Sequence, residues 1–76
     1  MKPGYNKTGN CWVKENGDWT ITISLEWKKI KIVYKDGGVE WFNYSYEKPE
    51  SILEVVENRA EQIAKQKAEE KLKRGL

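Results

Sequence analysis

The residues that could do chemistry in this chain are few, and their spacing suits no reaction. There is no histidine. That removes the commonest general base and metal ligand, and with them every Ser–His or Cys–His arrangement. Cys11 is the only cysteine. A zinc centre needs several Cys or His ligands, so neither a metal nor any other cofactor is expected. With no basic partner beside it, the Cys11 thiol reads as a small packed side chain. One thiol also excludes an internal disulfide, which fits a reducing, cytoplasmic setting. Asp36-Gly37-Gly38 lacks the lysine and following helix of a phosphate-binding loop.

The carboxylates offer little more. Glu50, Glu54, Glu57 and Glu61 lie three or four apart and would share one face of a helix. They fall in its first half, where negative charge complements the helix dipole, so a solvated face is the simpler reading. No base or metal is at hand to make the row catalytic, and the chain is not expected to be an enzyme.

What the chain carries in excess is rings. Four tryptophans, four tyrosines and one phenylalanine in 76 residues are many for so small a core. Trp41, Phe42, Tyr44 and Tyr46 crowd one short stretch, and Lys29, Lys31 and Lys35 stand just before it. Aromatic anchors ringed by charge are how small proteins grip partners. The same rings could instead form cross-strand pairs, and lysines on a strand also guard sheet edges against aggregation.

The elements that must position these residues follow from the periodicities. Met1–Asn10 contains Pro3, Gly4, Gly9, Asn6 and Asn10, shows no period and reads as a mobile arm. Residues 11–76 then form one domain. Cys11–Glu15 is a short strand, closed by Asn16-Gly17, a strong hairpin signal. Trp19, Ile21, Ile23, Leu25 and Trp27 alternate with polar residues for nine positions, predicting a strand with one buried face. Ile30–Lys35 alternates again, and Val39–Glu47 is the last strand. Two turns are open between them. A two-residue turn at Asp36-Gly37 sets Ile32 opposite Trp41, and a three-residue turn through Gly38 sets it opposite Phe42. One residue of slip exchanges the faces.

At Pro49 the period changes. Ser51 and Glu54 match a capping box, and Leu53, Val56, Ala60, Ile63 and Ala64 form a helical stripe. Helix formers run to Arg74, and residues 51–74 would span about 36 Å. A nine-residue strand spans about 30 Å, so the helix should overhang the sheet. The expected fold is α+β, a four-stranded antiparallel meander with one long C-terminal helix packed on one face.

Charge and hydropathy narrow the classes. Residues 1–48 carry 8 basic and 6 acidic side chains, residues 49–64 carry 1 and 4, and residues 65–76 carry 5 and 2. The overall +2 does not demand a polyanionic partner. Met1–Asn10 has no apolar run of the signal-peptide kind, and no stretch nears the ~18 apolar residues of a membrane span.

The expected function is a small binding protein that occupies a surface of another macromolecule, first of all a protein, as small phage-type inhibitors of host enzymes do. Trp41, Phe42, Tyr44, Tyr46, Lys29, Lys31 and Lys35 are the expected contact residues. Single-stranded nucleic acid is the alternative partner, its bases stacked on rings and its phosphates met by lysines. Self-assembly is the third, through the helix overhang, where Ala64, Ala68 and Leu72 make a thin apolar line.

Overall fold

The computed structural model describes residues 3–44 and 49–74. Five strands run in order β1 Asn6–Thr8, β2 Cys11–Glu15, β3 Trp19–Ser24, β4 Lys29–Tyr34 and β5 Val39–Asn43, followed by the helix α1 Glu50–Arg74. The strands form one antiparallel sheet in sequence order. The α+β class and the covering helix are as expected, but the sheet has five strands rather than four. The additional strand lies inside the segment expected to be an arm. Asn6–Thr8 carries no apolar pattern, and pairing alone makes it a strand: Asn6 lies opposite Val13 and Thr8 opposite Cys11.

The buried core is a single cluster beneath the helix. From β3 come Trp19, Ile21 and Ile23, from β4 Ile30, Ile32 and Tyr34, from α1 Leu53, Val56 and Ala60, and from the N-terminal segment Tyr5. The strand residues are those that alternation puts on one face, and the helix residues are the stripe. Fully burying a side chain of the Ile or Leu kind contributes roughly 1.5–3 kcal/mol. Six such side chains (Ile21, Ile23, Ile30, Ile32, Leu53 and Val56) therefore dominate stability.

Three departures concern chain reversals. The nine-residue alternation stops at Ser24, and Leu25–Lys28 turns the chain so that Ser24 faces Lys29. Lys28 takes a left-handed φ of 52° there, and Leu25 and Trp27 leave the core for solvent. The first hairpin reverses at Gly17-Asp18 rather than Asn16-Gly17. The Asn16 Oδ1 accepts from the backbone N–H groups of Asp18 and Trp19, so Asn16 ties the turn with its side chain.

The second hairpin takes neither expected form. Its loop is Lys35-Asp36-Gly37, closed by a Tyr34 N–H to Gly38 carbonyl bond of 2.7 Å. Gly37 supplies the φ of 97° that closing the loop requires. Ile32 consequently faces Glu40, Lys31 faces Trp41 and Ile30 faces Phe42. The helix begins at Glu50 because the Pro49 carbonyl accepts the Leu53 N–H, which places Ser51 inside the first turn instead of at the cap. With 25 residues α1 is about 37 Å long against about 20 Å for a six-residue strand, and it overhangs the sheet as expected.

Candidate binding surface

The two faces of the sheet follow from its register. The helix side receives Trp12, Lys14, Trp19, Ile21, Ile32, Glu40 and Phe42, among others. The opposite side has no covering element among the described residues. Across it the strands place Thr8, Cys11, Ser24, Lys29 and Asn43 in one row, and Asn6, Val13, Thr22, Lys31 and Trp41 in the next.

At one end of this open face lies a shallow groove of about 510 Å³. It is lined by Cys11 from β2, Thr22 and Ser24 from β3, Lys29 and Lys31 from β4, Trp41 from β5, and Trp27 from the β3–β4 turn. Both indoles are presented to solvent, Trp27 at 70% and Trp41 at 61% of full exposure. Trp41 is held by its place on β5 opposite Lys31, whose Nζ lies 5.5 Å from the ring centroid. The backbone of Trp27 is held in the β3–β4 turn, its amide N–H donating to Ser24 Oγ at 3.2 Å.

No carboxylate lines the groove. Among the described residues Lys29 and Lys31 have no ion-pair partner, nor do Lys7, Lys28, Lys35, Lys65 and Lys71, whereas three basic groups on the helix side do. Lys14 pairs with Glu57 at 3.3 Å, Arg59 with Glu40 at 2.9 Å, and Lys67 with Asp36 at 2.7 Å. β4 is an interior strand, between β3 and β5. Edge protection therefore does not account for Lys29 and Lys31.

The helix side is a polar lattice as well as a core. Tyr5 Oη donates to Glu57 Oε2 at 2.7 Å, and Tyr34 Oη donates to Glu40 Oε1 at 2.7 Å. Burial, then the hydrogen bond and charge of the acceptor, push both phenols well above the usual tyrosine range. The Tyr34 hydroxyl, followed by Arg59, holds Glu40 below the usual carboxylate range. Lys67, followed by the Gly38 N–H, does the same to Asp36. Glu57 thus departs from the solvated acidic row and ties the helix to Tyr5 and Lys14. A second cleft, of about 600 Å³, runs between the helix and the Lys35-Asp36 loop, and the Lys67–Asp36 pair closes across it.

The structure divides the expected contact residues. Trp41, Lys29 and Lys31 come together on the open face. Phe42 and Tyr44 turn to the helix side, half-buried against the core, and Tyr44 Oη donates to the Ser24 carbonyl. Lys35 opens the β4–β5 loop, beside the second cleft. Tyr46 is outside the described residues. Trp27 was not among the expected contacts, because unbroken alternation assigned it to the buried face of a longer strand. The interrupting Lys28-Lys29 pair was the signal that a turn begins earlier.

Among the described residues no three His, Cys, Asp or Glu side chains are grouped to hold a metal ion, and no helix is long and apolar enough to cross a membrane. No family model, curated protein or solved structure matches this chain.

Proposed function

We propose that this chain is a non-enzymatic binding module that holds a macromolecular partner on the open face of its sheet. The carrying observation is the groove between Trp27 and Trp41, with two unpaired lysines and no acid in its lining. Large exposed rings are costly to leave in water, and soluble proteins concentrate them where a partner covers them. The chemistry of the side chains supports binding over catalysis, since there is no histidine and the carboxylates near the core are engaged in holding the helix. In this reading Trp27 and Trp41 are the anchors, Lys29 and Lys31 supply charge, and Phe42 and Tyr44 support the strand from behind.

Two-dimensional ¹⁵N–¹H spectra test the placement with defined probes, a 15-mer oligothymidylate, a 15-mer oligouridylate and an oligoglutamate peptide. At least one probe should shift Thr22, Ser24, Lys29, Lys31 and the indole N–H signals of Trp27 and Trp41, while Leu53, Val56 and Ala60 stay in place. Shifts centred on the helix, or none with any probe, would contradict the reading.

A further inference from the structure

We infer that the occupant of the open face is a single-stranded nucleic acid, its bases stacked on Trp27 and Trp41 and its phosphates met by Lys29 and Lys31. The inference rests on the open face being the binding face and adds the chemistry of what it binds.

Charge is the first argument. The groove brings two ammonium groups together on an interior strand with no carboxylate in its lining. The helix side shows that this fold can neutralise its cations, since Lys14, Arg59 and Lys67 all have acidic partners. Two cations left without acids complement a polyanion.

Composition is the second. The centre of a protein–protein interface is depleted in lysine and packs continuous apolar area. Here two of the seven lining residues are lysines, three carry a hydroxyl or thiol, and the rings are the two indoles. With Phe42 and Tyr44 drawn to the other side, Trp27 and Trp41 are the rings that line the groove. Two rings lining one groove suit successive bases, because every base offers a flat face to stack on.

Geometry is the third. Lys31 Nζ lies over one face of the Trp41 ring, 5.5 Å from its centroid, so a base taking the other face, or displacing the ammonium from this one, keeps a cation close to its phosphate. Ser24 Oγ accepts from the Trp27 backbone N–H, which leaves its own hydrogen to donate to a phosphate or base edge. From β2 to β5 the platform is three interstrand steps, roughly 14 Å, so each chain covers a short stretch. Stacking requires unpaired bases, which excludes a duplex. No group in the groove distinguishes ribose from deoxyribose, so the shared chemistry is a strand with free bases, and the two sugars are separate arms of the test.

Fluorescence anisotropy with labelled 15-mer oligothymidylate and 15-mer oligouridylate, read across a salt series, decides it. Either strand should bind, and two neutralised phosphates give a slope of log affinity against log salt of about −1.4. Trp27→Ala with Trp41→Ala should weaken binding on the order of tenfold or more. Lys29→Ala with Lys31→Ala should flatten the slope. Folding of each variant is checked by circular dichroism. Failure of both oligonucleotides to bind the folded protein at low salt would overturn the inference, as would a 15-base-pair duplex binding as tightly as the single strands. Oligoglutamate bound instead, and lost in the same variants, would overturn the partner and leave the face standing. An oligonucleotide bound equally by all variants would overturn the face itself.

Discussion

The two faces of this sheet are built from alternate residues of the same strands, yet they are finished differently. Beneath the helix, Ile21, Ile23, Ile30 and Ile32 are sealed by Leu53, Val56 and Ala60. Around that seal the charges are paired: Tyr5 and Lys14 with Glu57, Tyr34 and Arg59 with Glu40, and Lys67 with Asp36. On the open side, two indoles stand in solvent and two lysines have no acidic partner among the described residues. A domain of 76 residues buries only about 60% of its unfolded surface and has little stability to spare. Leaving the second face uncovered is then informative, because its rings and charges stand outside the buried core and face solvent.

The largest effect expected from this comparison is in the core. Ile32→Ala should lower stability by about 2–5 kcal/mol, read from the urea midpoint of unfolding. A loss below about 1 kcal/mol would mean that the helix-covered core is not where the stability resides.

Next comes the tyrosine lattice. The phenols of Tyr5 and Tyr34 are raised in the folded chain, by burial first and by their carboxylate acceptors second. In the unfolded chain they ionise near pH 10. Stability from this source is therefore complete below about pH 10 and falls as pH rises further, since the unfolded state releases its protons first. Burial raises Tyr44 as well, so ionisation followed by absorbance at 295 nm should show at least Tyr5 and Tyr34 titrating only as circular dichroism is lost. Ionisation of all four tyrosines in a still-folded chain would break this part of the account.

A smaller effect is expected at Glu40, which the Tyr34 hydroxyl and then Arg59 hold below the usual carboxylate range. Its contribution is present above the unfolded carboxylate range of about 4 and fades as pH falls through the lower folded value. Glu40→Gln should cost on the order of 1 kcal/mol at neutral pH, and the gap to the parent chain should close in acid. A gap that widens on acidification would reverse the sign argued here.

The same contrast between faces explains what could be read from the sequence. The Trp19–Ser24 alternation and the Leu53, Val56 and Ala60 stripe were legible because burial on one side imposes a period. The surplus of rings was legible too, since one helix cannot cover them all. β1 was not, because an edge strand paired through its backbone needs no apolar pattern. The assignment of Trp41 and Phe42 to faces depended on loop length. That length is fixed by Gly37 closing a three-residue loop one position earlier than either expected turn. Trp27 was hidden by an alternation that runs past the end of its own strand into a turn. Glu57 was hidden by a partner, Tyr5, in a segment that shows no period.

Division of labour between the faces is best tested by one paired measurement on the Trp27→Ala, Trp41→Ala double variant, its urea unfolding midpoint and its affinity for a 15-mer oligothymidylate. The account predicts a midpoint within about 1 kcal/mol of the parent in equivalent stability, since only exposed contacts are lost, together with affinity at least tenfold weaker. A variant that unfolds while the parent is native, or one that binds as tightly as the parent, would contradict it.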